Sequence, residues 1–348
     1  MNKTIIYSPF VDWKLYALFE QKAKEILAEE GRSIDFSKFS LEAKTPLQEF
    51  IKALNFSELP EKFDNFYHAA GAFISKEQME LKEFLQKHDF SLEPPMPTDS
   101  NGPGYEKKGI TVAAVMELIQ EWPEGYNARK DEYDIEPELL VSKEEIRVKG
   151  YRLRNMKLFH KSGIEVIHSR QYSFPDCQSA LINLNDEDAD DFSIVLTDIS
   201  FYAQSIEEFE KQVTSPLELC KVVEQKPVLH NIRPGGAIDT YALLPSLEEQ
   251  SKLSGNLVGM SYQDARTLDG AEITGSEMLS KLRLNEKGVY ARSEGWATGH
   301  VLITACAHDI PDSWTFSLTV KMGLVVDIRF KGKSIFLAYI PQSRFHRS

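Results

Sequence analysis

LVVDIRFKGKSIFLAYI, running from Leu324 to Ile340, decides how the rest of the chain is read. Two runs rich in β-branched and aromatic residues flank Lys331-Gly332-Lys333. That link is far too short for the crossover that parallel strands need, so the runs predict neighbouring antiparallel strands. Working back toward the N-terminus, the same texture recurs in WTFSLTVKM (314–322), GAIDTYALL (236–244), DFSIVLTDIS (191–200) and IEVIHSRQYSF (164–174). Strands are thus expected to dominate from about Ile146 onward. Ser205-Ile206-Glu207-Glu208, Ser215-Pro216-Leu217-Glu218 and Ser246-Leu247-Glu248-Glu249 each fit the capping box and predict short helices among them.

The first 90 residues read differently. Leu15, Leu18, Phe19, Ala23 and Ile26 form one helical stripe, with Gly31 as the stop. Thr45-Pro46-Leu47-Gln48 opens a second helix, and Phe63, Phe66, Tyr67 and Ala70 stand at helical spacing for a third. Ser75-Lys76-Glu77-Gln78 caps a fourth, with Leu81, Phe84, Leu85 and His88 on its apolar face. Ser91 to Gly109 is rich in Pro, Gly, Ser and Asn and reads as a loop. ITVAAVMELIQEW (110–122) then predicts a short apolar helix stopped by Pro123, and 124–145 an acidic excursion. Helices and strands do not alternate regularly, which disfavours a doubly wound parallel sheet. The expected class is α+β: a helical N-terminal subdomain (1–90), a connecting region (91–145) and a mainly antiparallel β-rich domain with short helices (146–348).

Composition narrows the function. A chain of 348 residues with a net charge of −13 lacks the cationic surplus that non-specific nucleic-acid binding requires. No apolar run is long enough to span a membrane, and MNKTIIYSPFVDWKLY carries no secretory signal. Cys177, Cys220 and Cys306 are odd in number and form no CxxC pair, which argues against a disulfide framework and places the chain in the cytoplasm. Export by a signal-less route would leave no trace in the sequence.

Candidate chemistry concentrates in few places. In GHVLITACAHDIPDSW (299–314), a strand would set Cys306 and His308 about 6–7 Å apart on one face. A zinc ion would need further ligands that His300 is too distant to supply, so this stretch reads as structural. Cys177 follows Asp176, which could cap a helix beginning at the thiol and stabilise a thiolate. With His300 or His308 as base and Asp309 as orienter, it offers an alternative reading as a thiol hydrolase or transferase. Cys220 shares an apolar helix stripe with Leu217 and Val223 and reads as packing. Gly259-Met260-Ser261-Tyr262-Gln263 misses the second glycine of a nucleophile elbow.

Anion binding has two candidate places. Gly102, Gly104, Lys107 and Lys108 precede the helix predicted at 110, whose N-terminus would favour a negative group. Arg233 stands beside Gly235-Gly236, a second anion nest. No HExxH, CxxC or GxGxxG motif is present, so no cofactor and no metal site is expected. The first expectation is a protein-interaction or ligand-binding protein, acting through its acidic surface or the loop at 91–109. A third, weaker one is an acidic mimic of nucleic acid.

Overall fold

Ser8 starts the longest helix among the described residues. Its side chain accepts the Val11 N–H, and Pro9 takes the first turn, where no backbone donor is missed. This helix, α1 (Pro9–Glu29), buries Phe10, Val11, Leu15, Phe19 and Ala23, and the chain leaves it at Gly31 in the left-handed region. The computed structural model describes residues 4–31, 35–63, 65–102, 105–122, 126–135, 145–154, 157–159, 179–183, 192–224, 229–231, 240–264, 269–296, 307–309 and 316–347. Four more α-helices are α2 (Pro46–Lys52), α3 (Gln78–Lys87), α4 (Ile206–Gln212) and α5 (Pro216–Glu224).

Two six-stranded sheets carry most of the core. The first runs β1 (Ile5–Tyr7), β22 (Lys333–Pro341), β21 (Gly323–Phe330), β11 (Phe192–Asp198), β10 (Ser179–Asn183) and β9 (Lys157–Phe159). β21 and β22 are the hairpin expected from the sequence. Their link is Lys331-Gly332, both at positive φ (46° and 75°), the backbone hand that suits a two-residue hairpin turn. The second sheet runs β14 (Leu247–Ser254), β17 (Glu277–Asn285), β18 (Gly288–Trp296), β6 (Ile110–Glu121), β3 (Phe66–Ile74) and β2 (Lys62–Phe63), every neighbouring pair antiparallel. Its strands come from two separate stretches of the chain, 62–121 and 247–296.

A four-stranded sheet follows the order β20 (Phe316–Thr319), β13 (Thr240–Pro245), β8 (Ile146–Arg154) and β7 (Arg129–Ile135). Among the described residues three strand pairs complete the set: β12 (Leu229–Asn231) with β19 (Ala307–Asp309), β15 (Ser261–Gln263) with β16 (Gly270–Glu272), and β4 (Ser100–Gly102) with β5 (Tyr105–Lys107). One apolar core joins the large sheets through α1. At the join, the Ser8 hydroxyl donates to the Ile335 carbonyl of β22 at 2.8 Å, beside Met116 of β6 and Met278 of β17. Burying each such Leu, Ile or Phe side chain contributes about 1.5–3 kcal/mol.

The fold class is the expected α+β, largely antiparallel, yet three local expectations are corrected. Phe66–Ile74 is a strand where helical spacing had suggested a helix: Phe66 and His68 alternate into the core. Ile110–Glu121 is the twelve-residue central strand β6 and not a helix. Both of its faces are covered over Val112–Met116, and a strand buried on both sides shows no alternation. Leu247–Ser254 is an edge strand despite the capping-box pattern at Ser246. The starts at Thr45 and Ser205 hold, since Thr45 accepts from the Gln48 N–H and Ser205 from the Glu208 N–H, whereas Ser75 lies in a short 3-10 turn before α3 and its hydroxyl donates to Asp99.

Candidate functional site

The hairpin of β17 and β18 is the feature with the clearest functional geometry. Its turn, Asn285 to Gly288, is closed by the Asn285 carboxamide, which accepts the Lys287 and Gly288 N–H groups at 2.9 and 3.3 Å. Trp122 Nε1 donates to the Asn285 carbonyl at 2.7 Å and fixes the turn against the end of β6. Gly288 is required by close approach: a Cβ there would lie 2.0 Å from the Gln120 carbonyl oxygen.

From that turn β18 runs back between β17 and β6. It pairs from Asn285↔Gly288 to Glu277↔Trp296 on one edge and from Gly288↔Glu121 to Gly295↔Ala114 on the other. Since β18 is antiparallel to both neighbours, β6 and β17 are parallel to each other. β18 is therefore a strand interposed in a parallel pair, and both its edges are saturated. Its inward side chains Val289, Ala291 and Ser293 are buried and small. The Ser293 and Ser280 hydroxyls sit 2.8 Å apart in the core, so neither buried oxygen is orphaned.

The outward face of β18 is charged. Arg292 donates to Glu117 of β6 at 3.0 Å and to Glu294 at 3.1 Å, and Arg283 lies over the Tyr290 ring at 5.3 Å. Glu294 is 1% exposed, a depth at which a carboxylate needs partners. Beside the hairpin turn, a cleft of about 480 Å³ opens between this sheet and β7–β8, lined among others by Lys130, Lys149, Glu248, Arg283, Glu286 and His346. Lys130 reaches Glu286 of the turn at 3.4 Å. Both signs of charge line the cleft, so it suits polar side chains of a partner better than an apolar ligand.

Two ionisable groups, Asp12 of α1 and His68 of β3, are buried in the core. Asp12 of α1 accepts from the Asn256 side chain at 2.9 Å, and burial raises its carboxyl from 3.8 to about 7, the Asn256 hydrogen bond only partly countering. His68 is packed against Phe10 and Phe66; burial, and then the Lys14 charge, lower it to about 4, so it is neutral at physiological pH.

Of the residues singled out from sequence, those the structure describes lie apart from the hairpin of β17 and β18. Cys177, His300, Gly104 and Arg233 lie outside the described residues. His308 and Asp309 belong to β19, whose backbone pairs in parallel with His230 and Asn231 of β12. Gly102 ends β4 and Lys107 ends β5, a hairpin in place of a phosphate loop. Lys108 contacts Glu106 at 2.7 Å and Glu30 at 3.8 Å, and because the next element is a strand, no helix N-terminus stands there to favour an anion. Cys220 is buried on α5 as expected, and burial raises its thiol well above the ordinary value. Among the described residues no three His, Cys, Asp or Glu side chains come together to hold a metal ion, and no helix is long and apolar enough to cross a membrane. Gly288, Arg292, Glu294 and Glu117 were not singled out, since their role depends on which strands flank β18.

No family model and no curated protein matches the sequence. Solved structures do match in shape. A cleaved Serpin 42Da superposes with a TM-score of 0.50 at 10% identity, covering 97% of this chain and 90% of that one. The thermophilic serpin tengpin in its latent state gives 0.48 at 10% identity over 98% and 92%. Serpin48 from the insect Tenebrio molitor gives 0.46 at 13% over 97% and 91%. At such identity the likeness to the cleaved Serpin 42Da carries the fold and nothing more: this chain has a serpin-like fold along almost its whole length.

Proposed function

We propose that this chain is a protein-capturing protein that works as serpins do, with a protease as its partner. Serpins insert a reactive loop as an added strand of a large β-sheet, and that insertion releases strain stored in the fold. The single observation that supports the reading is β18, a strand interposed between the parallel pair β6 and β17. Residues 297–315, which follow β18, are in this reading the stretch the protease attacks. Entry of β18 then supplies the driving force. It adds two rows of backbone hydrogen bonds, each bond worth about 1 kcal/mol net, and buries Val289 in the core. The small inward residues Ala291 and Ser293 suit such entry, because no large side chain has to be driven into a packed core. The cysteine pattern suits a reducing compartment, and the capture is accordingly placed in the cytoplasm.

The test is incubation of the purified chain with a panel of serine and cysteine proteases, read by denaturing gel, mass spectrometry and thermal melting. The reading predicts an adduct with at least one protease that survives denaturant, a cut between Trp296 and Phe316, and a cut chain that melts no lower than the intact one, because β18 stays paired in the sheet. Degradation by every active protease, with no adduct and a lowered melting temperature, contradicts it.

A further inference from the structure

Backbone pairing would hold any strand of suitable length, but β18 is gripped by more than its edges. Beyond α3 the chain passes over the outward face of the sheet from His88 to Leu92. There Arg292, whose side chain is 12% exposed, donates to the carbonyls of His88 at 2.7 Å and Asp89 at 3.0 Å. Glu294 accepts the N–H groups of Ser91 at 2.7 Å and Leu92 at 3.1 Å. The two side chains also bond each other, and Arg292 reaches Glu117 on β6. Asp89 is held at φ 50°, a left-handed conformation that a non-glycine residue adopts at a cost. That turn sets two successive carbonyls, His88 and Asp89, on the same guanidinium nitrogen. The segment is anchored independently of β18, through the His88 ring to Tyr67 of β3 at 2.5 Å and through Ser91 to Lys281 of β17 at 3.2 Å.

We infer that the segment His88–Leu92 is a latch for β18, with Arg292 and Glu294 as the two charges it grips. The strap offers carbonyls to the cation and amides to the anion. Its polarity thus matches the order Arg292, Glu294 along this strand and no other strand of the sheet. When β18 is absent, four backbone groups of the strap and the Glu117 carboxylate lose their partners together. When β18 is present, all are satisfied by two side chains two residues apart. Residence of β18 in the sheet is thereby set by a side-chain lock, and not by strand pairing alone. The inference rests on the reading of β18 as the strand that moves, and its test is separate from protease capture.

Amide hydrogen exchange of the full-length chain, resolved by peptide mass spectrometry, tests it with Glu294→Gln and the milder Arg292→Lys. The latch predicts that amides of 288–296 exchange at least tenfold faster in Glu294→Gln and by a smaller factor in Arg292→Lys. Amides of β21 and β22 keep their wild-type rates in both. Unchanged protection of β18 in both variants overturns the latch. So does acceleration spread evenly over all strands, which would make Glu294 an ordinary core residue. If Glu294→Gln fails to fold, Arg292→Lys alone decides by the same comparison. Selective opening of β18 in a chain that captures no protease keeps the latch and removes the proposed function, whereas capture with no selective opening does the reverse.

Discussion

Replacing Asp12 by Asn should stabilise the protein at pH 8 and leave it nearly unchanged near pH 4. Asp12 is 2% exposed on the first turns of α1, and Asn256 donates one hydrogen bond to it. Burial raises its folded pKa to about 7, while the unfolded chain keeps a value near 3.8. Between those two values the folded state holds a proton that the unfolded state has released, so stability falls as pH rises. The slope from this one group is about 1.4 kcal/mol per pH unit, and the loss is complete above pH 7. The gap between the two values corresponds to roughly 4 kcal/mol at most. Asparagine cannot ionise, and its carbonyl oxygen can still accept from Asn256. Urea midpoints of both proteins at pH 4, 5, 6, 7 and 8 measure the difference. It should be small at pH 4, widen steadily to pH 7, then level off. A difference that is flat with pH, or that favours the wild type at pH 8, would refute the account of Asp12 as a buried, underpartnered carboxyl.

Three further expectations concern the strand and its surroundings. Gly288→Ala places a Cβ 2.0 Å from the Gln120 carbonyl and should cost about 3 kcal/mol, lowering the melting temperature and speeding amide exchange along β18. Ser280→Ala and Ser293→Ala should each cost about 1–3 kcal/mol by stranding the other hydroxyl, while the double variant recovers much of the loss; strict additivity in the cycle would disprove the pairing. Cys220 should resist alkylation in the native protein and react only with denaturant present, and its fast labelling under native conditions would contradict its burial on α5.

The sequence was most legible where local chemistry decides structure. Lys331-Gly332 announces a tight hairpin because few residues accept positive φ in succession, and the Thr45 and Ser205 caps of α2 and α4 make the hydrogen bonds expected of them. It misled where tertiary burial overrides local pattern. β6 reads as a helix because Ala113, Ala114 and Val115 are all buried, although Ile110, Thr111 and Val112 are β-branched and hinted at a strand. β3 reads as a helix because Phe63, Phe66, Tyr67 and Ala70 happen to fall at helical spacing, while its pairing with β6 runs the full length from Phe66 to Ile74. The strand β18 was less legible still. Gly288 to Glu294 holds an Arg and a buried Glu outside and small residues inside, but that alternation gains meaning only once 110–121 and 277–285 are known to flank it. The cysteines and histidines drew attention as chemistry-bearing types; Cys177, Cys306 and His300 lie outside the described residues, and the charged pair on β18 carries no motif that marks it.

The claim on which the rest depends is that β18 lies beside β6, and a cross-strand disulfide measures it most directly. Tyr290 stands opposite Ile119 in the antiparallel register, and opposed residues of such strands have Cα atoms about 4.5–5.5 Å apart, within the span of a disulfide. A Tyr290→Cys, Ile119→Cys variant, oxidised gently in the native state and mapped by mass spectrometry, should form the 119–290 bond in high yield. Both engineered thiols remaining free and reactive, in protein that is folded by circular dichroism, would place β18 outside the sheet and contradict the account.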